Sequence, residues 1–396
     1  MTLTASRHDV GAARRWAMLG ASTLAQAATA VMVHGPAFLI PTLHAQGMSL
    51  SEAGLVAAAP TLGVMLTLVA WGAVTDRRGE RFVLLTGLGA TVAAGTAGAL
   101  TQGTALLALA LFLAGASAAS TNAASGRVVV GWFPPLRRGL AMGIRQMAQP
   151  VGVGVAAISI AVTADVAGVH AALWIPTVAC ALAAVIVALV VLDPPRPEGH
   201  PSAVANPYRE DSYLSRIHGV SVLLVVPQFV VWTFALAWLV QDRDWSPAAA
   251  GAVVAVAQVA GAAGRIAVGH LSDLVGGRMR PLRWVALAAA ASMGLLGLTA
   301  ALDLGVAVLL VVVATTVTVA DNGLAFTAVA ERAGPFWSGR ALGVQNTAQF
   351  LAASAVPPLA GLVVTGAGYP AAFALAAVFP VVAAPLVPVR EERELH

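Results

Sequence analysis

Five ionisable side chains stand out inside long apolar stretches of this 396-residue chain: Asp321 in TVADNGLAF, Arg265 in GRIAVG, Arg145 in GIRQMAQPVGVG, Arg127 ahead of WFPPLRRG, and His34 in VMVHGPAFLIP. A carboxylate in apolar surroundings can carry a proton or pair with a cation. A guanidinium can hold a carboxylate through two parallel N–H bonds. An imidazole can relay protons near neutral pH. Each also has a plainer reading. Asp321 can hydrogen-bond Asn322 or a neighbouring helix, the arginines can reach along their stems to a polar boundary, and His34, next to a Gly-Pro break, can be a packing residue. Neutral polar groups share the same stretches: Ser117, Ser120 and Asn122; Gln146 and Gln149; Gln228 and Trp232; Asn322; Gln345, Asn346 and Gln349. Such groups either touch a bound ligand or join helices to one another.

The elements that must position these residues follow from composition. Charged residues are 10% and hydrophobic residues 59% of the chain, and mean hydropathy is +0.83. Soluble domains carry roughly 25% charged residues, so the chain reads as an integral membrane protein with the lipid bilayer as its solvent. Its 22 basic residues are all Arg, and the net charge is +4. They fall in short clusters between apolar runs, which is how membrane proteins set orientation, so no nucleic-acid partner is expected. Cys180 is the only cysteine; no intrachain disulfide, metal site or cofactor is expected.

Apolar stretches of roughly 20 residues or more fall at 16–40, 52–74, 82–101, 104–131, 139–163, 170–192, 217–240, 247–271, 283–302, 304–330, 340–366 and 369–389, twelve in all. The first, after Arg14 and Arg15, is too long for a signal-peptide core and is read as a retained helix. Connections from even to odd spans carry Arg77, Arg78 and Arg81; Arg137 and Arg138; Arg196, Arg209 and Arg216; Arg278, Arg280 and Arg283; and Arg332. The other connections carry only Arg243, between Asp242 and Asp244. This bias places both termini in the cytoplasm. The longest connection, 193–216, is a Pro-rich polar linker. The reading is therefore all-α, with a six-helix bundle at 1–192, a cytoplasmic linker at 193–216 and a second six-helix bundle at 217–396.

The two halves repeat. At a shift of 197, Gly72 falls on Gly269, Asp76 on Asp273, Gly79 on Gly276 and Arg81 on Arg278; at a shift of 200, Asn122 falls on Asn322, Gly143 on Gly343 and Gln149 on Gln349. Two halves of six spans share one topology, the parallel repeat found in rocking transporters. GAVTDRRGERFVL (72–84) resembles the loop signature of the major facilitator superfamily, G-x-x-x-D-(R/K)-x-G-(R/K)-(R/K), and GHLSDLVGGR (269–278) resembles its second copy. Glu80 stands where a basic residue is usual.

The resemblance implies a monomeric transporter with two pseudo-symmetric six-helix bundles, in the cytoplasmic membrane, working by alternating access. Gly72 and Gly269 permit close helix approach. Asp76, with Arg77, Gly79 and Arg81, is implied to face the positive N-terminus of helix eleven near Arg340. By pseudo-symmetry Asp273, with Arg278, would meet the start of helix five near Arg138 and Gly139. Each contact supplies roughly 0.3–2 kcal/mol, enough to bias a conformational equilibrium without locking it. Helices one, four, seven and ten line the cavity in this superfamily, which makes Asp321 a carrier of the coupling proton or one arm of a gate, with His34 a second candidate. Arg265, four residues before Gly269, is placed like the arginine of oxalate/formate and monocarboxylate carriers, although Gly261 stands where the latter have an Asp.

Three functions compete for this pattern of residues. Three arginines against one deep carboxylate favour a small organic anion, proton-coupled, as cargo. Arg265 and Arg145 would bind it, with Asn122, Gln149, Gln228, Trp232, Asn322, Gln345 and Asn346 as further contacts. A proton-coupled drug exporter is the alternative, but Leu111 replaces the expected Arg of helix four, and QPVGVG departs from the exporters' G-P-x-x-G-G. An enzyme or sensor is disfavoured, because the chain holds no P-loop and no H-E-x-x-H.

Overall fold

The computed structural model describes residues 10–195 and 205–392. Arg196 and the rest of 196–204 lie outside the described residues. Among the described residues the chain is helical throughout. The helices are α1 Ala12–His34, α2 Ile40–Ala45, α3 Leu50–Arg78, α4 Glu80–Leu100, α5 Thr104–Trp132, α6 Pro135–Arg145, α7 Ala148–Ala167, α8 Val169–Val190, α9 Tyr213–Gln241, α10 Pro247–Val275, α11 Met279–Ala301, α12 Val306–Thr318, α13 Asp321–Ala333, α14 Ser338–Ala376 and α15 Val378–Leu386.

Among the described residues, eleven helical stretches are long and apolar enough to cross a membrane. The last, Ser338–Glu391, has 54 residues, or about 80 Å at 1.5 Å per residue. That is more than twice a bilayer core of roughly 30 Å. Gly368 breaks it at φ 83° and ψ 170°, so it makes two spans and the total is twelve. Most large exposed apolar side chains on the spans are aliphatic, among them Leu66, Ile158, Val166 and Leu362, with Phe82, Trp174 and Trp284 as aromatic exceptions, whereas the buried positions are rich in Ala. Such helices present apolar faces to lipid and small residues to one another.

Four spans expected as single helices are built from pieces; the twelfth is interrupted at Ala377, between α14 and α15. In the first, Gly35–Leu39 is a 3₁₀ turn with Pro36 in its first turn. The fifth is broken at Gln146 and Met147, between α6 and α7. The cause is readable: Pro150, four residues on, has no N–H for the Gln146 carbonyl and clashes with it. The tenth is broken at Val319 and Ala320, one residue before Asp321.

The chain forms two compact units. One holds residues 1–133, 148–204 and 334–343; the other holds 134–147, 205–333 and 344–396. Each has an apolar core at the helix ends remote from its motif aspartate. In the first unit Leu43, Leu107, Leu111, Ile160 and Leu173 pack together. In the second, Trp238 meets Phe373 edge-on at 5.8 Å, beside Leu239, Met293 and Leu296.

Candidate functional site

In the first unit, Asp76 ends α3 fully buried. Its Oδ1 accepts from the Gly339 N–H at 2.8 Å and Oδ2 from the Arg340 N–H at 3.0 Å, both at the start of α14. Arg340 Nε adds a bond at 2.9 Å and Arg127 Nη1 one at 3.2 Å. A carboxylate on the free N–H groups of a helix start answers both their hydrogen-bonding need and the helix dipole. The backbones touch here: a Cβ on Gly72 would stand 2.2 Å from the Gly339 carbonyl oxygen. Gly79, at φ +100°, makes the turn into α4. Asp193 then accepts from the Arg81 N–H at 2.8 Å, and Arg81 Nη2 donates to Ala188 O at 2.6 Å. Arg77 is exposed. Glu80, the motif's odd residue, is fully buried and pairs with Arg127 Nε at 2.9 Å.

The second unit repeats the junction. Asp273 accepts from the Gly139 N–H at 2.9 Å and the Leu140 N–H at 2.8 Å, in α6. A Cβ on Gly269 would stand 2.2 Å from the Gly139 carbonyl oxygen. Arg278 Nη1 pairs with Asp273 at 2.6 Å, and Nη2 reaches Glu331 at 3.3 Å. Burial works against the Arg278 charge, but Glu331 and Asp273 outweigh it and hold the guanidinium above its ordinary pKa. Glu392 takes the place of Asp193: its Oε1 accepts from the Arg278 N–H, and from the Met279 N–H at 3.0 Å.

A second repeated feature is a Gln–Asn rung. Gln26 Nε2 donates to Asn122 Oδ1 at 3.0 Å in the first unit. Asn322 Nδ2 donates to Gln228 Oε1 at 3.2 Å in the second. Gln349 Nε2 joins the latter rung through Asn322 Oδ1 at 3.0 Å, whereas Gln149 instead meets His34 Nε2 at 3.2 Å. Asn346 is buried on α14. The Trp232 indole nitrogen is buried and has no acceptor among the described residues.

Three of the five ionisable groups, Arg265, Asp321 and Arg145, break the repeat in the second unit; His34 and Arg127 lie in the first. Arg265 is 5% exposed and occupies the repeat position of Leu68, 197 residues earlier. The packing shows the equivalence. A Cβ on Gly143 would meet Arg265 O at 2.6 Å, and one on Gly343 would meet Leu68 O at 2.8 Å. Arg265 spends its donors on the broken helices, Nε on Val319 O at 3.3 Å and Nη1 on Gln146 O at 3.1 Å. The second of these acceptors is the carbonyl orphaned by Pro150. Asp321, at the repeat position of Thr121, opens α13, and its Oδ2 is buried without a hydrogen-bond partner among the described residues. The charges of Arg265 and Asp321 act on one another, yet the two form no ion pair among the described residues. Arg145, at the repeat position of Gln345, is fully buried, donates to Gln146 Oε1 at 2.7 Å and lies 5.7 Å from the Phe326 ring centre.

Several partners escaped the reading of the sequence, Asp193 of Arg81 among them. Gln26 had a signal in it: a lone amide in an apolar span, matched by Gln228 some 202 residues later. Glu331 and Glu392 had none beyond their charge. His218 joins Tyr208 to Gln345. Gln345 Nε2 donates to Ser221 Oγ, so its carbonyl oxygen faces His218 Nδ1 and that nitrogen carries the proton. His218 Nε2 then accepts from the Tyr208 hydroxyl at 2.9 Å; burial pushes that phenol up to about 12, so it stays a donor.

Comparison with known proteins bears on the whole chain. An uncharacterised MFS-type transporter of Mycobacterium tuberculosis H37Rv is 48% identical over 389 residues, covering 97% of this chain and 87% of the relative. Among solved structures, the Escherichia coli fucose:proton symporter superposes with a TM-score of 0.77 at 15% identity, over 95% of this chain and 98% of that one. The human organic anion transporter MFSD10 superposes with a TM-score of 0.72 at 17% identity, over 94% and 99%. At those identities the likeness is one of fold. The sequence model of the Major Facilitator Superfamily matches residues 20–357. With twelve spans, a twofold repeat and an aspartate seated on a helix start in each unit, the chain belongs to the Major Facilitator Superfamily of membrane transporters.

Proposed function

We propose that this transporter carries a small organic anion, a carboxylate, across the cytoplasmic membrane together with protons, by alternating access. One observation carries the reading. Arg265, Asp321 and Arg145 stand where the repeat has Leu68, Thr121 and Gln345, so the fold itself has no need of charge at those positions. Buried charge that the scaffold does not require is kept at a cost, and it marks a functional site. Two buried cations against one buried carboxylate in the same unit leave a surplus positive charge, which favours an anionic cargo. In this reading Arg265 and Arg145 hold the carboxylate and Asp321 takes the coupling proton. Asp76 and Asp273 act as latches that release their helix starts during the cycle. The protein works as a monomer with both termini in the cytoplasm. Transporters named for fucose and protons or for organic anions share this fold, so the fold does not choose the cargo and the argument rests on these side chains.

A thermal-shift screen tests it, with small mono- and dicarboxylates beside lipophilic cations. A ligand at a hundredfold over its Kd stabilises by about 2.7 kcal/mol. The account expects a carboxylate shift that disappears in Arg265→Ala. A shift with cations alone, retained in Arg265→Ala, would establish an exporter of cations instead.

A further inference from the structure

The motif junctions of the two units carry the same four charges. Asp76 is joined by Glu80, Arg127 and Arg340, and Asp273 by Arg278, Glu331 and Arg138. Each set has two carboxylates and two guanidiniums, so its formal charges cancel. In each, one arginine bridges both acids. Arg127 bridges Asp76 and Glu80, at 3.2 and 2.9 Å, and Arg278 bridges Asp273 and Glu331, at 2.6 and 3.3 Å. The other arginine belongs to the helix start held there, Arg340 of α14 or Arg138 of α6.

The sources of the bridging arginine and of its second acid are exchanged between the units. In the second, the motif turn supplies the arginine, Arg278, and α13 supplies the acid, Glu331. In the first, the turn supplies the acid, Glu80, and α5 supplies the arginine, Arg127. At the shift of 200, Arg127 falls on Thr327, and Glu331 lies four residues beyond it, one turn along the same helix face. At the shift of 197, Glu80 falls on Gly277 and Arg81 on Arg278. Arg81 is turned to Ala188 O, and Arg127 takes the seat on Asp76 that Arg278 has on Asp273. These charges are deep: Arg127 is 4% exposed, and Asp76 and Glu80 are closed to solvent. A buried charge is costly without its counter-ion, so the sign at position 80 has to answer the sign at position 127.

We infer that Glu80 is a positioning residue of the first latch, and that Glu80 and Arg127 are the charge-exchanged counterpart of Arg278 and Glu331. Glu80 holds Arg127 Nε and so aims Nη1 at Asp76 Oδ1, at 3.2 Å, and at Thr75 O, at 3.4 Å. The aimed guanidinium keeps the Asp76 carboxylate turned to the N–H groups of Gly339 and Arg340. Attraction between two charges is unchanged when both signs are reversed. Either order therefore ties the motif turn to the neighbouring span, provided that both positions change together. The acid at position 80 is one half of a matched pair, and the motif keeps its latch. This rests on the reading of Asp76 as the tie on α14, which has its own control.

The experiment labels the full-length protein in inside-out vesicles with a membrane-impermeant thiol reagent, in a Cys180→Ala background. The single cysteine is Ser338→Cys, at the α14 start, or Ala141→Cys, in α6; both positions are buried. Glu80→Gln should accelerate labelling at 338 by roughly tenfold to hundredfold, the weight of one charged hydrogen bond, and leave position 141 at its wild-type rate. In an Arg127→Gln background the same change should add less than about twofold, because the two residues act as one unit. Glu80→Gln at the wild-type rate, while Asp76→Asn accelerates 338, would overturn the positioning role and leave the latch standing. Equal acceleration at 338 and 141 would mark a general loosening and overturn it too, as would an effect of Glu80→Gln undiminished by Arg127→Gln. If Asp76→Asn leaves 338 unchanged, the latch and the inference fall together. Should Glu80→Gln not fold, the exchanged pair Glu80→Arg with Arg127→Glu decides. Folded protein from the pair that neither single reversal yields supports the inference, and equal loss in all three overturns it.

Discussion

Replacing Asp76 by Asn removes one charge from a site where four donors converge. Oδ1 accepts from the Gly339 N–H and Arg127 Nη1, and Oδ2 from the N–H and Nε of Arg340. Asn keeps one acceptor oxygen, so the Gly339 bond can persist. Its amide nitrogen then faces the two Arg340 donors, and at least two charge-assisted bonds are lost. Each is worth about 1.5–3 kcal/mol, and the helix start loses its anion as well. The sum is about 3–5 kcal/mol, the range for breaking a buried pair. The readout is a single cysteine at the buried Ser338, in a Cys180→Ala background, labelled with a membrane-impermeant thiol reagent in inside-out vesicles. At 1.4 kcal/mol per tenfold, labelling should accelerate by at least roughly a hundredfold in Asp76→Asn. Asp273→Asn should leave this rate nearly unchanged, because its carboxylate holds Gly139 and Leu140 in the other unit. A labelling rate and melting temperature unchanged by Asp76→Asn would refute the assignment of the carboxylate as the tie on α14.

Glu80→Arg would restore the usual basic residue of the motif, yet it should cost about 3–5 kcal/mol, seen as lost expression or a lower Tm, because it sets a cation against the buried Arg127. Gly269→Ala forces a Cβ to within 2.2 Å of the Gly139 carbonyl, so α10 and α6 must part; a drop of about 1–3 kcal/mol is expected from overpacking. Gly89→Ala, in α4 with nothing within 4 Å of the added carbon, should instead be neutral or stabilising by up to about 1 kcal/mol, and the pair compared by thermal melting separates packing from helix propensity. Gln228→Leu strands an Asn322 donor at about 1–3 kcal/mol, and a double-mutant cycle with Asn322→Leu should recover part of that loss.

Much of the fold was legible because a bilayer imposes coarse rules. Runs of roughly 20 apolar residues and Arg-bearing connections gave the spans, and the 197-residue repeat gave the two matching motifs. The resemblance to the superfamily pointed from Asp76 toward Arg340, and the internal repeat from Asp273 toward Gly139; the structure puts Gly339 and Arg340 on the first carboxylate and Gly139 and Leu140 on the second. The break before Pro150 was written in the sequence, but its consequence, an orphan carbonyl taken up by Arg265, was not, since that partner lies 119 residues away. The break at Val319 carries no Pro or Gly; Arg265 and Asn322 bond its carbonyl. Glu80 looked like a flaw in the motif until Arg127, 47 residues on, supplied its counter-ion. Pairings of this kind are set by helix packing and leave no local trace.

In the proposed function a carboxylate and a proton move together through the charges of the second unit. Proteoliposomes filled with a pH-sensitive dye test it most directly, with small carboxylates and lipophilic cations added outside in turn. The account predicts that at least one carboxylate acidifies the lumen and that both Arg265→Gln and Asp321→Asn abolish the signal. Proton movement driven by lipophilic cations alone, and undiminished in Arg265→Gln, would contradict it.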